Sequence, residues 1–206
     1  MNENDIVFKV ITLGDTGVGK TSIIKTFLQD NYERERLSTI GIGYSFKEVI
    51  LKDGTTIKIK LIDTAGQEKY RAIAKSYYKN AQAVLFIFSY DNKDSLEHIE
   101  EWSKRFKEVG GSSVDIPMYL IGNKYDVENK EIEDVSIENL KNKIGINNFV
   151  KTSAKDNMGI EDLFNELVEK MYMNKKKETG ETQKSLVLIN TKEKKKKKQK
   201  KNKECC

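Results

Sequence analysis

Cysteine is almost absent from this 206-residue chain, occurring only as Cys205 and Cys206 at its very end. Neither can staple a core, which excludes a disulfide scaffold and reads as a cytosolic rather than a secreted protein. Proline occurs once, so no proline-rich linker is present. The opening MNENDIVFKV lacks the basic start and apolar stretch of a signal peptide, and none is expected. Long hydrophobic runs are missing as well. The longest, AVLFIF at 83–88, falls far short of the roughly 20 residues a membrane helix needs, so any membrane attachment is expected from outside. Histidine occurs once, at His98, which reads as a solvated helix residue without a catalytic role.

Charge is present but unevenly placed. The net +5 hides a segment 174–206 with 13 Lys against 4 Glu, a balance of +9, and a remainder at −4. The folded part is mildly acidic, so no general nucleic-acid-binding surface is expected on it. Residues 1–173 read as one domain of ordinary size, and 174–206 as a flexible lysine-rich tail that cannot bury enough surface to order itself.

Within the domain, short apolar runs alternate with helical periods. IVFKVITL (6–13) reads as a strand and KTSIIKTFLQ (20–29) as a helix. KEVILKDGTTIKIKLID (47–63) reads as two extended runs around Asp53–Gly54, a hairpin signal. In the second run Ile57, Ile59 and Leu61 alternate with Lys58 and Lys60, as a sheet with one wet face requires. AVLFIFS (83–89) and PMYLIG (117–122) suit strands covered on both faces, and NNFVKTS (147–153) is a weaker sixth. Leu96, Ile99, Trp102, Phe106 and Val109 repeat at helical spacing, as do Ile160, Leu163, Phe164, Leu167, Val168 and Met171. The pattern predicts an α/β domain: a mostly parallel sheet with helices on both faces and one antiparallel edge strand.

GDTGVGKT (14–21) fits G-x-x-x-x-G-K-[ST] between a strand and a helix. Its residues are Gly14, Asp15, Thr16, Gly17, Val18, Gly19, Lys20 and Thr21. Glycines let successive N–H groups turn toward an anion, and the helix N-terminus adds partial positive charge. Lys20 would neutralise terminal phosphates, while the Thr21 hydroxyl would coordinate Mg²⁺. In DTAGQEKYR (63–71), Asp63 ends a strand where it can hold the Mg²⁺ shell. Gly66 offers an N–H to a γ-phosphate, and Gln67 can orient a water.

Base recognition is expected farther along the sheet, at the strands' carboxyl ends. GNKYD (122–126) supplies Asp126, which can accept from the N1–H and 2-amino group that guanine has and adenine lacks. Asn123 can pair with base or loop atoms, and the Lys124 stem can lie over the ring. TSAK (152–155) carries Ser153, Ala154 and Lys155, with the Ala154 N–H able to donate to guanine O6. Each motif alone is weak; four in order on the right elements point to guanine nucleotide. An adenine-nucleotide enzyme would leave NKYD and TSAK unexplained.

Residues 5–173 resemble a Ras-superfamily small GTPase through GDTGVGKT, DTAGQE, NKYD and TSAK, and specifically the Rab branch. The branch rests on STIG (38–41), KYRAIAKSYYKNA (69–81), SLEHIEEW (95–102) and the terminal CC. The resemblance implies a P-loop NTPase G domain with a six-stranded sheet and five flanking helices, binding GTP or GDP with Mg²⁺ and recruiting effectors to membranes in the GTP state. It gives Thr39 the role of closing over Mg²⁺ and γ-phosphate, Tyr32 that of packing on guanine, and Ser22 a place beside the α-phosphate. Residues 33–45 and 66–80 would be the two switch segments. It further implies an exchange factor, a GTPase-activating protein, a prenylation escort and a GDP-dissociation inhibitor.

Two departures stand out. Rab proteins usually carry Trp before DTAG, where this chain has Ile62, and IGIGYSF makes the stretch from Thr39 to Asp63 one residue longer than usual. These positions help form the patch that effectors read. The rival to an active GTPase is a nucleotide-holding module without turnover, against which Gln67, Thr39 and Gly66 all argue.

The lysine run near the end suits nuclear import, RNA or an anionic leaflet. Cys205 and Cys206 match the Rab double-geranylgeranylation site, and two chains with a basic patch give stable attachment. The expected location is the cytoplasmic face of an intracellular membrane, cycling with cytosol. SLVLIN (185–190) is either a chance apolar cluster or the stretch that docks on escort and inhibitor proteins.

Overall fold

A computed structural model describes residues 6–29, 42–64, 77–109 and 116–178. The chain divides into two units, 1–169 and 170–206. The first holds the sheet; the described part of the second, 170–178, is the end of the last helix.

Among the described residues six strands form one sheet: β1 (Ile6–Leu13), β2 (Ile42–Ile50), β3 (Thr56–Thr64), β4 (Ala83–Ser89), β5 (Met118–Asn123) and β6 (Asn148–Lys151). Their order is β2-β3-β1-β4-β5-β6, and only β2 runs antiparallel to its neighbour. The helices among the described residues are α1 (Lys20–Phe27), α2 (Lys93–Glu97), α3 (Ile99–Val109), α4 (Asp134–Ile144) and α5 (Ile160–Glu178). This is the α/β architecture expected, with its single antiparallel edge strand.

Local chemistry explains the elements. Between β2 and β3 the chain turns at Asp53–Gly54, where the Thr55 N–H donates to Asp53 Oδ1 at 3.0 Å and Gly54 takes φ 82°. On β3, Ile57, Ile59 and Leu61 are buried while Lys58 and Lys60 lie on the wetter face, over the rings of Phe46 and Tyr44. β4 is buried at every residue, as its unbroken apolar run demands. One face packs Ile99, Trp102 and Phe106 of α3 against β1, β4 and β5. On α1 and α5, Phe27 stacks on Phe164 with centroids 3.9 Å apart.

Three elements differ from the sequence reading. The helical stretch 93–109 breaks at His98, and the Asn92 side chain caps its start by accepting from the Ser95 N–H at 3.2 Å. Helix α4 has no counterpart in the reading, although Ile137, Leu140 and Ile144 share its buried face and Gly145 closes it at φ 72°. Helix α5 continues through Glu178, so residues 174–178 are helical where composition alone suggested flexibility. Lys175, Lys176 and Lys177 occupy its last turn, where positive charge complements the helix dipole.

Candidate nucleotide site

The phosphate loop connects β1 to α1 at the carboxyl end of the sheet. Gly14 takes φ 144°, and a Cβ there would lie 2.0 Å from the Ile87 carbonyl oxygen. Gly19, in the left-handed region at φ 97°, caps α1, and a Cβ there would meet Asn123 Nδ2 at 2.2 Å. Both positions exclude a side chain, which leaves the loop's N–H groups unscreened above the helix start. Gly14→Ala is expected to destabilise the domain by about 3 kcal/mol or more through backbone clash and strain. A calorimetric melt should then show Tm lower by roughly 6–12 °C.

Lys20 is 5% exposed and donates to the carbonyls of Gly14 at 2.9 Å and Asp15 at 2.7 Å. Burial pulls its ammonium down to about 8, against the opposing pull of Asp63 and Asp15. Beside it the Thr21 hydroxyl donates to Asp63 Oδ2 at 2.6 Å, joining the first turn of α1 to the end of β3. Val18 is buried, Ser22 and Asp15 are partly covered, and Thr16 and Gly17 are exposed at the loop's tip.

Asn123, buried at the end of β5, links this loop to the GNKYD and TSAK motifs. Its Nδ2 donates to the Val18 carbonyl at 2.8 Å, and its Oδ1 accepts from Thr152 Oγ1 at 3.2 Å and the Ala154 N–H at 3.3 Å. Of the two roles open to it, the structure shows the loop contact. The Ala154 N–H assigned to guanine O6 is therefore directed at Asn123, through a long bond. Ser153 Oγ donates to Asp126 Oδ1 at 2.7 Å, and Lys155 Nζ lies 3.4 Å from Asp126 Oδ2. Desolvation pushes the Asp126 carboxyl up, but Ser153, its own backbone N–H and Lys155 outweigh it and hold the pKa below the usual value. The group stays an ionised acceptor. Lys124 takes φ 59° and pairs with Asp91 at 2.9 Å.

Tyr32, Thr39, Gly66, Gln67, Cys205 and Cys206 lie outside the described residues. So does the SLVLIN segment. Arg105 pairs with Glu101 and lies over the Trp102 ring, a structural role consistent with its place on a helix. The sequence reading missed one contact altogether. His98 is exposed, as expected, yet its Nδ1 lies 2.6 Å from Asp15 Oδ2, while Trp102 Nε1 donates to Asp15 Oδ1 at 2.8 Å.

A model of the Ras family matches residues 9–173. The chain belongs to the Ras family, in its Rab branch. The "Ras-related protein Rab-13" of Mesocricetus auratus is 37% identical over 164 residues, covering 79% of each chain. The "Ras-related protein Rab-8A" of Bos taurus is 36% identical over 184 residues, 88% of this chain and 87% of that one. The "Ras-related protein Rab-1D" of Dictyostelium discoideum is 34% identical over 163 residues, 79% of this chain and 78% of its own. This Rab-type small GTPase binds guanine nucleotide, hydrolyses GTP and acts in membrane trafficking through regulators and effectors. Ile62, at the position where Rab proteins usually carry Trp, is fully buried and pairs across the sheet with Tyr44. Tyr44 and Phe46 on β2 are about half exposed, at 49% and 53%.

Proposed function

We propose that residues 1–173 form a G domain whose nucleotide lies across the carboxyl ends of β1, β5 and β6, and that 174–206 is its lipidated tail. One observation carries this reading: Asn123 bonds both Val18 of the phosphate loop and Ala154 beside the Asp126–Ser153 pair. A single side chain thereby fixes the spacing between a phosphate cradle and a carboxylate suited to guanine. Gly14 through Thr21 and Ser22 would hold the phosphates, Asp126 would read the base and the Lys124 stem cover it, and the Ala154 N–H would exchange its long bond to Asn123 for guanine O6. Tyr32 would pack on guanine.

The donors near Lys20 fit magnesium. The Thr21 hydroxyl and Asp63 carboxylate are hard oxygens 2.6 Å apart, and one carboxylate leaves most positions for phosphate oxygens and water. Thr21, Asp63 and, in the GTP state, Thr39 would hold the ion. When bound, Mg²⁺ neutralises phosphate charge. Lys20 and the loop N–H groups do the same for the β- and γ-phosphates as charge develops on them. Gln67 orients water for in-line attack at the γ-phosphorus, the bond to the β-phosphate oxygen breaks, and the attacking water's proton leaves with inorganic phosphate.

No arginine in the sequence has an evident finger role. Intrinsic turnover is expected at about 10⁻⁴ to 10⁻² s⁻¹, with an activating protein donating the missing arginine. An exchange factor would release GDP, and effectors would bind the switch regions, with exposed Tyr44 available in the first and exposed Phe46 next to it. Prenylation at Cys205 and Cys206, aided by an escort protein, would anchor the chain to the cytoplasmic face of an intracellular membrane, reinforced by the lysines. A GDP-dissociation inhibitor would return it to the cytosol. Calorimetric titration tests the site: GDP and GTP should bind and ADP and ATP should not. Chelating magnesium should speed GDP release on the order of tenfold or more. Equal affinity for ADP, or release indifferent to magnesium, would count against the assignment.

A further inference from the structure

Asp15 is the second residue of the phosphate loop, yet its carboxylate is committed elsewhere. One oxygen accepts from the Trp102 indole N–H at 2.8 Å and the other meets His98 Nδ1 at 2.6 Å. Its carbonyl, meanwhile, accepts from Lys20 Nζ at 2.7 Å. His98 sits at the break between α2 and α3, and Trp102 lies one turn farther along α3. One loop residue therefore ties the phosphate cradle and its lysine to a helix pair that lies outside the candidate site's motifs.

We propose that His98 and Trp102 are positioning residues of the phosphate loop, acting through Asp15, and that protonation of His98 slows the release of guanine nucleotide. The proposal rests on the reading that this loop holds the nucleotide's phosphates. An imidazolium makes a charge-assisted bond to Asp15 and cancels its negative charge beside the phosphates. Neutral imidazole leaves a weaker bond and a carboxylate opposed only by Lys20 and the indole N–H. Both effects act in the same direction.

The charged surroundings of His98 agree. The bond to Asp15 raises its pKa above the ordinary value, burial opposes this, and Asp94 and Glu101 on its own helices add to the rise. Glu101 is itself paired with Arg105, and Lys20 is the cation facing Asp15 from α1. A raised histidine pKa means that the clamp is fully formed below about pH 6.5 and is lost as pH rises through the folded-state value. Release should therefore accelerate toward alkaline pH. By linkage, bound nucleotide should raise the His98 pKa further.

His98 is the only histidine and Trp102 the only tryptophan in the chain, so each gives an unambiguous signal. The test uses the full chain loaded with a fluorescent GDP analogue and Mg²⁺, with release followed from pH 5.5 to 8.5 beside NMR titration of the His98 ring proton. Release should accelerate on the order of fivefold across the range, with its midpoint at the NMR value. His98→Gln keeps a neutral donor and should release fast at low pH, losing the histidine-linked step. Trp102→Phe keeps the ring and the midpoint but should release faster throughout. Identical pH profiles for the native chain and His98→Gln, with nucleotide bound in both, would overturn the proposal alone. Failure to bind GDP analogue at any pH would overturn the site assignment and the proposal with it.

Discussion

Asp126→Asn should weaken GDP binding by about 10²–10⁴-fold and bring in xanthosine diphosphate as the better ligand. The Asp126 carboxylate is held ionised by Ser153 and Lys155, so it presents only acceptors. Guanine offers it two donors, N1–H and the 2-amino group. An asparagine turns one oxygen into an NH₂ group, which would face the 2-amino donor without an acceptor. Xanthine carries a carbonyl oxygen at that position and restores the match. Competition binding with both diphosphates checks this. The variant should still fold, because Ser153 Oγ can donate to the asparagine carbonyl. Unchanged guanine preference would remove Asp126 from the base site.

Gln67→Leu should retain GTP affinity and lose activator-stimulated hydrolysis by about 10²-fold or more. Leucine has nearly the same volume but neither carbonyl nor amide, so it cannot hold the attacking water. Binding should survive because the proposed phosphate contacts come from the Gly14–Thr21 loop and the proposed base contacts from Asp126 and its neighbours. Single-turnover assays with saturating activating protein separate the two effects. A variant that hydrolyses at the native rate would show that another group orients the water.

Much of this was readable because the relevant chemistry is local. Phosphate cradles need glycine N–H groups at fixed offsets, and a half-wet strand must alternate, as Ile57 to Leu61 do with Lys58 and Lys60. Helix α4 escaped because its buried stripe is only Ile137, Leu140 and Ile144, with Val135 exposed among them. The clasp of His98 on Asp15 escaped for a different reason. The two residues are 83 positions apart, and no periodicity or spacing encodes a tertiary partner at that range. Asn123 lies between these cases. Its motif marked it for the site, but only the fold showed that it joins Val18 to Ala154.

Phosphate release from the GTP- and Mg²⁺-loaded protein, with and without an activating protein of broad Rab specificity, tests the regulated switch most directly. Release should be slow, at about 10⁻⁴ to 10⁻² s⁻¹ alone, and should accelerate about 10³-fold or more with the activator. Tight GTP binding with no release in either condition would contradict it and leave a guanine-nucleotide module that holds its ligand without turning it over.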